Sequence, residues 1–128
     1  MTIPNTKPTF VVLVIDKASE RHEAAEILMQ DGYRVIAVPT AEQAVAVIHA
    51  RWETQLVVTD VQLPGPMDGY ALARLLDIKW PGMGVVVVGT REPRPEDLPP
   101  RAHFLLRPYS RSSLVQTVRE LLGEPLAL

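Results

Sequence analysis

Three runs of apolar residues dominate the hydrophobic pattern: Val11-Val12-Leu13-Val14-Ile15, Leu56-Val57-Val58 within Gln55-Leu56-Val57-Val58-Thr59-Asp60, and Val85-Val86-Val87-Val88. They are continuous rather than alternating and rich in β-branched residues, which predicts short strands buried on both faces. Each run meets a polar residue where it ends: the first at Asp16, the second at Asp60, and the third, after Gly89, at Thr90. Between them the period changes to that of a helix. Ala24, Ala25, Leu28 and Met29 predict a first helix from about Ser19 to Gln30, stopped by Gly32. Tyr33-Arg34-Val35-Ile36-Ala37-Val38 reads as a second strand. Thr40-Ala41-Glu42-Gln43 has the form of a capping box before a second helix with Ala44, Val47 and Ile48 on its buried face. Leu72, Leu75 and Leu76 predict a third helix from about Tyr70 to Lys79, broken by Trp80-Pro81-Gly82.

The rhythm then changes, because Pro93, Pro95, Pro99 and Pro100 all fall within residues 91–100. A proline in a helix interior costs about 3 kcal/mol, so this crossover is expected to hold at most one helical turn. Phe104-Leu105-Leu106 gives a short fifth strand. Ser110 caps a last helix carrying Leu114, Val115, Val118, Leu121 and Leu122, with Gly123 as its stop. Strands and helices that alternate at these lengths predict an α/β fold, a doubly wound five-stranded parallel sheet with helices on both faces. The fourth helix is shortened or lost. A flexible arm is expected over residues 1–8, one domain over 9–123 and a tail over 124–128.

Composition narrows the picture without changing it. With 128 residues, 47% of them hydrophobic, the chain suits a single core, and it contains no cysteine for disulfides or thiolate chemistry. A net charge of −2 and dispersed basic residues argue against direct nucleic-acid binding. Neither a signal sequence nor a membrane span is evident at the N-terminus, so a cytoplasmic protein that does not enter membranes is expected.

In an open parallel sheet the carboxyl ends of the strands form the ligand crevice, so Asp16, Asp60 and Thr90 should converge. Asp60 opens the stiff loop Val61-Gln62-Leu63-Pro64-Gly65-Pro66-Met67-Asp68-Gly69 and is a candidate nucleophile. No GxGxxG or GxxxxGK[ST] loop follows the first strand, which disfavours a nucleotide- or cofactor-binding enzyme. The three histidines have no ligand-spaced partners. His22 lies with Glu20, Arg21 and Glu23 on a helix face expected to be solvated, and Trp52 and Trp80 read as packing anchors for loops.

Val12-Leu13-Val14-Ile15-Asp16, Asp60 with Leu63-Pro64 and Asp68-Gly69, Thr90, and Arg107-Pro108-Tyr109 follow one another at strand ends. In that order they resemble the receiver domains of bacterial two-component response regulators, from about Thr9 to Leu122. The resemblance implies a flavodoxin-like, CheY-like fold with strand order 2-1-3-4-5 and a phosphorelay signalling domain rather than an enzyme, with self-catalysed phosphoryl transfer at most. It implies Asp60 as phosphoacceptor; Asp16, Asp60 and the Gln62 main-chain carbonyl as Mg²⁺ ligands; and Thr90, Phe104 and Arg107 as phosphoryl-contact and switch positions. Pro108 would follow a cis peptide bond. The partners implied are a histidine kinase or phosphotransfer protein and a downstream protein reached through a partner surface, which residues 91–100 would reshape.

Two positions depart from the family pattern. Lys17 replaces the second, more directly metal-binding acid, and Arg107 replaces the usual lysine, so Asp16 and Asp60 against Lys17 and Arg107 sum to zero. Mg²⁺ affinity is therefore expected to be weakened. Lys17 is expected either to turn inward and pair with Asp60 or to extend into solvent. Two functional readings stay open: an atypical receiver phosphorylated on Asp60, and a pseudo-receiver interaction module that does not use Mg²⁺-dependent phosphorylation.

Overall fold

A computed structural model describes residues 9–123; the arm expected over 1–8 and the tail over 124–128 lie outside the described residues. The elements run β1 (Phe10–Val14), α1 (Ala18–Gln30), β2 (Arg34–Val38), α2 (Ala41–Ala50), β3 (Thr54–Asp60), α3 (Gly69–Lys79), β4 (Gly84–Gly89), a 3₁₀ turn (Pro95–Asp97), β5 (His103–Leu106) and α4 (Arg111–Leu122). All strand pairs are parallel and the sheet order is β2-β1-β3-β4-β5. This is the expected flavodoxin-like order. Prolines have also removed the fourth helix, leaving three residues of 3₁₀ helix between β4 and β5.

The sheet has a core on each face because successive side chains of a strand point to opposite sides. Val11, Leu13, Ile15, Leu56, Val58, Val86 and Val88 pack with Ala24 and Leu28 of α1 and Leu114 and Val118 of α4. Val12, Val14, Val57, Val85 and Val87 pack with Ala41, Ala44 and Ile48 of α2 and Leu72, Ala73 and Leu76 of α3. α2, α3 and α4 start where their caps dictate: the side chains of Thr40, Asp68 and Ser110 accept from the N–H groups of Gln43, Ala71 and Ser113 at 3.1, 2.8 and 3.0 Å. Gly123 ends α4 at φ 69°, a left-handed conformation that glycine adopts without strain.

Two packing expectations need correction. Met29 is exposed, because Ala24 and Leu28 define the inward face of α1 and Met29 falls at its flank. Trp80 packs on the α2 and α3 side of the core, and its ring meets His49 edge-on at 5.0 Å, but Trp52 is 80% exposed. The Phe10 end of the core is instead covered by the guanidinium groups of Arg34 and Arg51, 5.5 and 5.4 Å from the ring.

Candidate functional site

Asp60 is the last residue of β3, in the interior of the sheet, so its carboxylate emerges between the ends of β1 and β4. The loop after it is pinned by main-chain contacts. The Val61 N–H donates to the Val88 carbonyl at 2.9 Å, and the Gly69 N–H donates to the Val61 carbonyl at 2.8 Å. At Gly69 a Cβ would stand 1.9 Å from the Asp60 main-chain oxygen, so the first residue of α3 closes against the Asp60 backbone in a way only glycine permits.

Asp60 forms the floor of a cleft of about 840 Å³. Asp16, Lys17, Gln62, Thr90 and Arg107 line it as well, so the structure brings together six of the eight residues singled out in the sequence. Phe104 and Pro108 are not in its lining. Phe104 packs beneath the end of β4, where a Cβ at Gly89 would meet its ring at 3.2 Å and Val61 Cγ2 at 2.8 Å. The Arg107–Pro108 peptide bond is cis.

Arg107 is the centre of the site. Its N–H donates to the Gly89 carbonyl at 2.8 Å, which carries the β4–β5 pairing one step beyond the sheet. Its guanidinium lies 5.7 Å from the Tyr109 ring centroid. Nη2 pairs with Asp60 Oδ1, while Nη1 reaches Glu20 Oε2 at 3.2 Å. Burial pushes the Asp60 carboxyl above its ordinary value of 3.8; the hydrogen bond and charge of Arg107 offset only part of this, Glu20 adds to the rise, and the Asp16 main chain opposes it. Burial likewise raises the Tyr109 phenol.

The solvent-facing alternative for Lys17 is the one observed. Lys17 sits at the N-cap of α1 with an exposed side chain, and the cation paired with Asp60 is Arg107. Glu20, by contrast, does not belong to a merely solvated face. It is the third residue of α1, a position from which a carboxylate reaches back toward the helix start and the crevice beyond it. That spacing from Lys17 was a usable signal, but its partner lies far along the chain. Arg21 also leaves the solvated face, donating from Nη1 to the carbonyls of Ile15 and Asp16 at 2.9 and 3.0 Å.

Sequence reasoning also missed the opposite wall, formed by Tyr70, Arg91, Glu92, Arg94 and Asp97. Here the 3₁₀ turn is fixed by the Arg94 N–H donating to Asp97 Oδ2 at 2.8 Å, and Arg74 Nη1 ties the Asp97 carbonyl to α3 at 3.2 Å. Burial and the nearby Asp97 and Asp68 charges push the Tyr70 phenol up.

Known proteins share this fold. A curated relative, the response regulator protein FleR of Pseudomonas aeruginosa, is 32% identical over 119 residues, which cover 89% of this chain and 25% of that protein. The chain thus spans about a quarter of that relative's length. Among solved structures, a response regulator receiver protein from Sinorhizobium medicae WSM419 superimposes with a TM-score of 0.85 at 24% identity, covering 91% of this chain and 96% of that one. A CheY-like receiver domain protein from Methanospirillum hungatei JF-1 does so with a TM-score of 0.80 at 22% identity, covering 91% and 95%. These two likenesses concern the fold. The response regulator receiver domain family itself matches residues 11–119, the segment that carries the sheet from Val11 onward and α4 as far as Arg119, and the chain therefore belongs to that family of two-component signalling domains.

Proposed function

We propose that this receiver takes a phosphoryl group on Asp60 without relying on Mg²⁺, with Arg107 supplying the positive charge around the transferred oxygens. The observation that carries this reading is the Arg107 guanidinium paired with Asp60 on the floor of an open cleft. Phosphoryl transfer depends mainly on an aligned nucleophile and on cations placed around the moving charge. A guanidinium already directed at the nucleophile suits the planar faces of both carboxylate and phosphate.

Receiver domains typically hold Mg²⁺ beside the phosphorylation site, but the donor set here does not fit it. Lys17 stands where a carboxylate would be needed, while Asp60 and Glu20 share one guanidinium, and no three acidic or histidine side chains among the described residues are arranged to hold a metal. With Glu20 included, three acids face two bases in this half of the cleft, a formal −1 where four residues gave zero.

In the proposed reaction an ionised Asp60 oxygen attacks the phosphorus of a phosphohistidine on a histidine kinase or phosphotransfer protein. The O–P bond forms as the N–P bond breaks, and the imidazole nitrogen keeps the bonding pair. Arg107 then faces an acyl phosphate in place of a carboxylate. Output passes through a downstream protein partner, in a protein that works in the cytoplasm; no helix among the described residues is long and apolar enough to cross a membrane.

One observation favours the pseudo-receiver as a second reading: Arg107 already gives Asp60 a counter-charge and is itself held by Glu20, a closed set of ion pairs that needs no phosphoryl group. Intact mass after incubation with acetyl phosphate, in EDTA and in Mg²⁺, separates the two. The expected result is one phosphoryl group added in EDTA, lost in Asp60→Asn and released by hydroxylamine. A label seen only with Mg²⁺ would sink the metal-independent route. No label under either condition, with a competent donor, would favour the pseudo-receiver.

A further inference from the structure

Glu20 is a carboxylate on the cleft wall that the proposed transfer does not use, and it is bound to the one group that transfer needs. Arg107 Nη1 and Nη2 serve two different carboxylates, Glu20 and Asp60, so the guanidinium forms a bridge rather than a fork on one acid. The two ends are unequally buried: the side chains of Arg107 and Asp60 are 18% and 12% exposed, that of Glu20 39%. Glu20 can therefore leave for water at little cost, whereas Asp60 cannot. The Arg107 main chain is meanwhile tied to the Gly89 carbonyl and its guanidinium lies against the Tyr109 ring, so it stays at the cleft whichever partner it keeps.

We propose that Glu20 is a competing anion built into the site: it occupies the edge of the Arg107 guanidinium that a phosphoryl group on Asp60 would take, and so restrains phosphorylation until the phosphoryl group displaces it. This rests on the phosphoacceptor reading of Asp60. A phosphoryl group brings three acceptor oxygens and roughly −1.5 to −2 of charge, against a single charge on Glu20, so in the phosphorylated domain it takes the guanidinium. Glu20 is a positioning residue in this scheme, since it acts through Arg107 and not on phosphorus.

The test combines a structural readout with a chemical one. In the unphosphorylated wild-type protein, nitrogen-15 NMR should show the Arg107 side-chain N–H groups as separate, slowly exchanging signals, because a bridged guanidinium cannot rotate freely. In Glu20→Gln they should move toward averaging. Wild-type signals that are already averaged would overturn the bridge whether or not the protein can be phosphorylated.

In the same acetyl phosphate assay, Glu20→Gln should raise the phosphorylated fraction about three- to fivefold at early times, the scale set by one partly exposed ion pair. On an Arg107→Ala background the substitution should change the fraction by much less. An equal gain on both backgrounds would overturn competition for Arg107 in favour of simple charge repulsion. Wild type and Glu20→Gln labelled equally would overturn the restraint while leaving Asp60 as phosphoacceptor. Neither labelled, with the bridge intact by NMR, would overturn both the phosphoacceptor reading and the restraint that rests on it. A label in Glu20→Gln alone would be its strongest support.

Discussion

The two walls of the cleft are built from the same chemical pair, an aspartate facing an arginine, and the two aspartates respond in opposite directions. Asp60, paired with Arg107, has its carboxyl raised from 3.8, whereas Asp97, paired with Arg94, has its carboxyl lowered from the same value. The difference is solvation. Asp60 ends a central strand, and its loss of water outweighs what Arg107 returns. Asp97 lies on a surface turn where the Arg94 N–H is the largest influence; burial opposes it next, and the guanidinium then adds to the lowering, so the balance falls the other way. An ion pair thus reveals little about a site until its water is counted. The wall with strained solvation holds the candidate chemistry; the other shapes and closes the cleft.

The sharpest way to break this contrast is to disturb the close packing of α3 against the Asp60 backbone. Gly69→Ala places a Cβ 1.9 Å from the Asp60 main-chain oxygen, a backbone atom that cannot swing aside. The expected cost is about 3 kcal/mol, at the upper end of overpacking effects, together with shifted amide signals at Asp60 and Val61. Chemical denaturation and NMR measure both; a variant as stable as wild type would show that the β3–α3 junction is looser than described.

Next in size is the pairing itself. Arg107→Ala leaves a buried carboxylate without its cation and should cost about 1–3 kcal/mol in urea unfolding at neutral pH. Arg94, 76% exposed, contributes far less, so Arg94→Ala should leave the melting temperature within about 2 °C of wild type. Comparable losses in the two variants would erase the distinction between the walls.

The smallest effect in energy is the most direct comparison, a carbon-13 titration of both carboxyls in one sample. Asp60 should lose its proton above 3.8 and Asp97 below it. The stability linkages have opposite signs. The Asp60 contribution is fully present below the ordinary value and is lost as pH rises through the raised folded value. The Asp97 contribution is present above the ordinary value and is lost as pH falls through the lowered one. Asp60→Asn should therefore remove a component that falls with rising pH in the range above 3.8. Two carboxyls titrating together would mean that Asp60 is as hydrated as Asp97.

Local chemistry made much of this fold legible in advance. Continuous valine runs can be satisfied only by strands covered on both sides, and the sheet does carry a helix pair on each face. Four prolines between Arg91 and Pro100 forbid a full helix wherever the chain goes, and the helical part shrinks to the 3₁₀ turn Pro95–Asp97. The meeting of Asp16, Asp60 and Thr90 followed from the parallel sheet, whose topology fixes what lies at the strand ends, while the strand order and the place of Arg107 followed from resemblance.

What the sequence determined by itself was whatever depends on backbone preference and the period of burial: the elements, their caps, the missing helix and the placing of Asp60 at a strand end. Tertiary structure alone decided which charges meet. Asp60 and Arg107 are 47 residues apart, and Glu20 joins them from a third element. No local rule assigns Arg107 rather than Lys17 to Asp60, or tells an exposed Trp52 from a packed Trp80. Such choices turn on a few ångströms of side-chain reach and on how much water each group keeps, and these exist only once the strands are side by side.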